Sequence, residues 1–230
     1  TEECLIAQLI ADVRAWHAKH DDWRETFARI QGRYGYDRYG GGCHVVPNHA
    51  VIIMALLHSG GDYSRGLSIV NTAGWDTDCN SGNLGCLMGI RGGLAGLETG
   101  PDWRGPVADR LYLPTADGGR AVTDALSEAL AVARVGAALD GIKLSTPKAG
   151  ARYHFAAPGA VQGWLVDDAP DSLATCSLHN TPGHSAEEAR SLAIGFAALT
   201  EALPARILRE TYPALRPSGG YGMVASPSLH

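Results

Sequence analysis

Between Ser81 and Gly96 the chain carries Gly82, Gly85, Gly89, Gly92, Gly93 and Gly96, while Leu84, Leu87, Met88 and Leu94 supply bulk between them. Spacings of three and four residues predict a helix. Each glycine costs a helix interior up to about 1 kcal/mol relative to alanine. A stripe of them therefore predicts that a second helix or a ligand comes close to the backbone. The ten residues before it, Asn71-Thr-Ala-Gly-Trp-Asp-Thr-Asp-Cys-Asn80, place two carboxylates at the expected helix start. On an extended backbone Asp76 and Asp78 project to one side, as oxygen donors must to share a hard divalent cation such as Mg²⁺ or Mn²⁺. The free N–H groups and dipole of a helix start favour acids as well, so simple capping by Asp78 is the other reading. The residues alone leave both open.

The order of motifs narrows the choice. His44-Val-Val-Pro-Asn-His-Ala-Val-Ile-Ile-Met-Ala-Leu-Leu, then Gly61-Asp62, then Gly74-Trp-Asp-Thr-Asp-Cys-Asn80 and the glycine-rich helix resemble the C-terminal half of the ADP-ribosylglycohydrolase family. Its motif G-x-D-T-D-[TS] is matched by Gly74, Asp76, Thr77 and Asp78, and the resemblance covers roughly residues 1 to 140. It implies an all-α bundle around a two-magnesium site. The implied activity is hydrolysis of a glycosidic bond in ADP-ribose or a related ribosyl group, on a small molecule or attached to a protein. The metal ligands so implied are Asp76, Asp78 and Cys79, which stands where the family has Thr or Ser. Sulfur is a soft donor for Mg²⁺, and the amide oxygen of Asn80 is the alternative. Substrate contacts are expected from Gly74, Trp75, Thr77 and Asn80 in the motif, and from His44, Asn48 and Asn71 beside it. The family draws further metal ligands and an acidic catalytic residue from an N-terminal half that has no counterpart here. No catalytic residue is assigned for that reason, and the chain, which lacks an initiating Met, is expected to be a fragment.

With 45% hydrophobic and 19% charged residues, 230 residues suffice for a packed core in one large or two modest domains. A net charge of −5 without a dense Lys/Arg cluster disfavours nucleic acid as a partner. No apolar run reaches a membrane span, and no signal-peptide pattern follows Thr1, so a soluble protein with no membrane partner is expected. Cys4, Cys43, Cys79, Cys86 and Cys176 show no C-x-x-C spacing, and an odd number favours a reducing compartment, the cytoplasm.

Mainly α architecture is expected over residues 1–142, a helical bundle followed by a Ser/Pro/Gly/Lys linker at 143–150 and a partial β-sandwich-like region at 151–230. Leu5, Leu9, Val13 and Trp16 mark an amphipathic helix, Asp21-Asp22 precede a second, and Asp62 caps a short one through Leu67, Ile69 and Val70. A glycine- and tyrosine-rich segment, 32–42, reads equally as a lid for a flat ring or as a surface loop. Residues 117–139 are expected as one helix with Val122, Leu126, Leu130 and Val135 on one face and Asp124 and Glu128 solvated. Strand-like runs follow at Tyr153–Phe155, Trp164–Val166, Leu192–Phe196 and Tyr221–Val224. A function of another class also fits the sequence: a non-catalytic nucleotide- or sugar-binding module whose β region contacts a partner.

Overall fold

A computed structural model describes residues 4–113, 121–166, 176–183, 190–196 and 224–225. The chain divides into two compact units, Thr1–Trp103 and Arg104–His230. This division falls earlier than the composition shift at 143–150, because the helix that precedes the shift packs with the strand before it.

The first unit is five helices: α1 (Leu5–His17), α2 (Trp23–Tyr34), α3 (Val45–His58), α4 (Tyr63–Ala73) and α5 (Thr77–Leu97). Local chemistry sets their starts. Asp22 accepts from the Arg24 N–H at 3.0 Å and Asp62 from the Arg65 N–H at 2.7 Å, each satisfying a backbone donor that the helix leaves over. α3 contacts each of the other four helices, and its apolar sequence buries Val46, Ala50, Val51, Ile52, Met54 and Ala55 on several faces at once. Leu9 and Val13 of α1, Ile30 and Tyr34 of α2, Val70 of α4 and Leu84 of α5 close the core around it. Fully burying such a side chain stabilises by about 1.5–3 kcal/mol, which is what fixes α3 as the axis of the bundle.

α5 corrects one expectation. Leu84 and Met88 are buried, but a Cβ added at Gly82, Gly92, Gly93 or Gly96 would meet nothing within 4 Å among the described residues. Along α5 close approach occurs where Gly85 faces the Tyr63 hydroxyl, and between the helices where Gly66 of α4 faces Met88. Gly93, at φ 59°, breaks the helical path near its end. Most of the stripe therefore marks an open face of the helix. In the tyrosine-rich segment, Tyr34 is 2% exposed and bonds Asp12, while Tyr39 lies against both Tyr34 and His44.

The second unit contains α6 (Ala125–Leu139) and short antiparallel ribbons. β1 (Arg110–Tyr112) pairs with β2 (Val122–Asp124), β3 (Leu165–Val166) with β6 (Val224–Ala225), and β4 (Cys176–Pro182) with β5 (Arg190–Phe196), in register from Cys176 opposite Phe196 to Pro182 opposite Arg190. Helix α6 begins at Ala125, later than expected, because Val122 to Asp124 extend to pair with β1. Asp124 is not solvated. It is 1% exposed and caps α6. Tyr153–Phe155 does not form a strand, and Phe155 takes a positive φ. Positions 114–120 and 221–223, where parts of the expected helix and last strand fall, lie outside the described residues. Among those described, no helix is long and apolar enough to cross a membrane.

Candidate metal and substrate site

The site is made by an abrupt turn between α4 and α5. Gly74 ends α4 at φ 79°, ψ −149°, a conformation that is essentially glycine-only. Trp75 follows at φ 64°, unusual for a bulky residue. Its ring is held at 5.1 Å from both Phe27 and Tyr36, so packing compensates the backbone strain. Asp76 then occupies the N-cap position of α5, and Asp78 lies in the helix's first turn. The acids converge through a cap-and-first-turn geometry rather than along an extended strand.

The Asp76 side chain makes no capping hydrogen bond. Its carboxylate faces the Asp78 carboxyl, the thiols of Cys43 and Cys79 and the Cys79 backbone N–H. The bond to Asp78, then that to Cys43, holds its pKa below the usual carboxylate range. The same contacts push both thiols up, Cys43 and Cys79 each chiefly through the hydrogen bond to Asp76. Ligand atoms of Asp76, Asp78 and Cys79 all lie within 4.8 Å of one another, close enough to address one cation. Asp76 is half-buried, and Asp78 and Cys79 are exposed.

Behind the acids runs a chain of amides. Asn80, 1% exposed, donates from Nδ2 to Asn48 Oδ1 at 3.0 Å; Asn48 donates to the Tyr36 hydroxyl at 2.8 Å; Tyr36 donates to the Gly42 carbonyl at 3.2 Å. At the near end Asn80 Oδ1 is buried without a donor. Asn80 and Asn48 border a cavity of roughly 440 Å³ lined also by Asp76, Cys79, Cys43 and His49, with Val45, Ile52, Ile53, Asn83 and Leu87 completing the wall. His49 Nε2 is also buried without a partner, and burial lowers the pKa of that ring. A larger cavity of roughly 570 Å³ opens at the start of α2. Its Asp22 is engaged in capping, and its Arg24 lies over Trp23 at 4.6 Å.

Of the expected residues, Asn48, Asp76, Cys79 and Asn80 meet at the smaller cavity, with Asp78 beside them. Gly74, Trp75 and Thr77 form the turn that presents them. His44 sits elsewhere: it caps α3, its Nδ1 accepting from the Val46 N–H at 3.2 Å, with Tyr39 against the ring. Asn71 bonds the Leu67 carbonyl one turn back on α4. Cys43 and His49 line the cavity without having been anticipated. The position of His49 between Asn48 and Ala50 on α3 was a signal for it, whereas nothing near Cys43 in sequence points 33 positions ahead to Asp76.

A five-helix unit that presents an uncapped acid pair beside a cavity is of the class that builds ligand sites from side chains on facing helices. The ADP-ribosylglycohydrolase family profile matches residues 2–137, more than half of the chain, and the chain belongs to that family. Membership assigns it chemistry of the glycohydrolase type. No curated protein and no solved structure matches it.

Proposed function

We propose that this chain carries the cation site of a magnesium-dependent hydrolase that cleaves a glycosidic bond of ADP-ribose or a related ribosyl substrate, free or attached to a protein. The observation that carries the reading is the Asp76 carboxylate, which stands at a helix start without capping it and borders the cavity beside Asp78. Two carboxylates suit a hard divalent ion, so Asp76 and Asp78 would hold Mg²⁺, or Mn²⁺ in its place. Cys79 keeps its proton against Asp76, and a neutral thiol adds little for Mg²⁺. Bound there, the ion would supply Lewis acidity and an anchor for ribose hydroxyls.

The chain's own residues do the rest. The Asn80–Asn48–Tyr36 series fixes the floor of the cavity, so the carboxylates need little reorganisation when substrate arrives. Ile52, Ile53 and Leu87 give it apolar walls that keep water from the bound ligand. A metal-free glycosidase is disfavoured, because its two acids flank the bond about 5–9.5 Å apart, whereas ligand atoms of Asp76 and Asp78 lie within 4.8 Å of each other.

One observation favours a binding module for the isolated chain: among the described lining residues no acid remains to protonate a leaving group once Asp76 holds a cation. The free thiols of all five cysteines support a reducing compartment, and we place the protein in the cytoplasm. Titration calorimetry with ADP-ribose, and melting curves, test the site. Mg²⁺ should raise the melting temperature by several degrees, ADP-ribose should bind only with Mg²⁺ present, and Asp76→Ala should abolish both. A Mg²⁺ shift that survives Asp76→Ala would sink the assignment. Binding without release of ADP-ribose from an ADP-ribosylated peptide would establish the module reading for this chain.

A further inference from the structure

Two polar atoms at the cavity are left over by the magnesium reading. Asn80 Oδ1 and His49 Nε2 are both buried without a partner among the described residues, and both side chains line the cavity of roughly 440 Å³. Asn80 itself is 1% exposed. A buried acceptor without a donor is costly, and a fold that keeps one beside a cavity leaves it for whatever fills the cavity.

The chain of amides decides which atom Asn80 has to offer. The Gly42 carbonyl can only accept, so the Tyr36 hydroxyl gives its single proton there and can only accept from Asn48. Asn48 therefore turns Nδ2 to Tyr36 and Oδ1 to Asn80, and Asn80 in turn gives Nδ2 to Asn48. What remains of Asn80 is an oxygen. Rotating either amide alone would set two donors or two acceptors face to face, so the series, drawn from the loop before α3, from α3 and from α5, locks the polarity of its last member.

A fixed acceptor requires a donor on the ligand. A diphosphate or carboxylate has no proton to give at neutral pH, and among the described lining residues no Lys or Arg stands beside Asp76 to receive such an anion. A sugar hydroxyl is different, because its oxygen can face a cation while its hydrogen faces an acceptor. His49 agrees with a neutral ligand: burial lowers its pKa, and an uncharged imidazole nitrogen exchanges one hydrogen bond without demanding a charge in return.

We propose that Asn80 selects a free sugar hydroxyl at this site, that Asn48 and Tyr36 are positioning residues that keep its oxygen turned to the ligand, and that a substrate whose hydroxyl there is missing or esterified is rejected. The inference rests on the cation site proposed above and adds the group on the substrate that the protein, rather than the ion, reads.

The test is titration calorimetry of the full chain at saturating Mg²⁺, with ADP-ribose and with its analogues lacking the 2- or the 3-hydroxyl of the terminal ribose. One of the two analogues should bind the unaltered chain about tenfold more weakly than ADP-ribose, or worse. Asn80→Ala should weaken ADP-ribose by a similar factor and barely affect that analogue, so that the discrimination shrinks to about twofold. Tyr36→Phe should reduce the discrimination in the same direction by less: it keeps Asn80 and the ring against Trp75, but removes the acceptor that orients Asn48 and frees both amides to turn over. A merely structural role for Tyr36 would weaken all three ligands alike. An intact Mg²⁺ melting shift in both variants checks that the cation site is folded. Equal binding of the three ligands by the unaltered chain, or discrimination that is undiminished in both variants, would overturn the inference and leave the cation site standing. ADP-ribose that fails to bind the unaltered chain with Mg²⁺ present would remove the ground for both.

Discussion

Asp76 and Asp124 occupy the same position at the start of a helix, one in each unit, and they have opposite surroundings. Asp124 is 1% exposed and saturated: the Ser127 N–H reaches Oδ1 at 2.9 Å, the Ser127 hydroxyl reaches Oδ2 at 2.8 Å, and Gln162 Nε2 and Arg152 reach it at 3.2 and 3.3 Å. Asp76 is half-buried, makes no capping hydrogen bond of full strength, and faces the Asp78 carboxyl, two thiols and the Cys79 backbone N–H. The contrast shows that a cap position does not itself assign a role. What decides is how many fixed donors the fold brings to the carboxylate. With all its donors in place the carboxylate holds the structure together, and without them it is available for chemistry.

The comparison breaks most visibly under alanine substitution. Asp124→Ala should destabilise the second unit by about 2 kcal/mol, since it removes a cap, strands the Ser127 N–H and leaves the buried Gln162 amide with the Arg152 carbonyl as its main acceptor. Asp76→Ala should shift the urea midpoint far less than this in metal-free buffer. Urea titration, with hydrogen exchange read separately on α5 and α6, distinguishes the two, and equal losses would erase the contrast.

A second effect sharpens the reading of the turn that presents Asp76. Gly74→Ala should cost about 2 kcal/mol, because φ 79°, ψ −149° excludes a side chain whatever the space around it. Gly82→Ala, in the exposed part of α5 with nothing within 4 Å, should instead stabilise by up to about 1 kcal/mol. Melting curves of the pair would show whether the glycines before and after the acids serve different ends.

The helices of the first unit were legible because their information is local: Leu5, Leu9 and Val13 at helical spacing, and Asp22 and Asp62 one residue before a helix, are read without knowing the fold. The strand at Leu192–Phe196 was legible for the same reason, through alternation. The fate of Asp124 was not, since Arg152 and Gln162, 28 and 38 residues further on, determine it. β4 escaped notice because Cys-Ser-Leu-His-Asn-Thr-Pro lacks β-branched and aromatic alternation and is a strand through its pairing with β5. At the site, the motif Gly74 to Asn80 was visible as a unit. The contribution of Cys43 depends on the α3 loop reaching α5, which no spacing reports.

The smallest effect concerns protons. A thiol whose pKa is raised in the fold contributes stability that is complete below its ordinary pKa and is lost as pH climbs through the raised value; Cys43 and Cys79 are of this kind. A carboxyl whose pKa is lowered contributes above its ordinary pKa and loses that contribution as pH falls through the lowered value, as Asp76 does. The cluster is therefore intact from about pH 4 to about pH 9, the interval between ordinary carboxyl and thiol titration. Within it the thiolate fraction is suppressed, so alkylation of Cys43 and Cys79 by iodoacetamide, followed by mass spectrometry at pH 8, should run several-fold slower than in Asp76→Ala. Equal rates in the two proteins would mean that no thiol donates to Asp76, leaving a carboxylate with still fewer partners to set against the saturated Asp124.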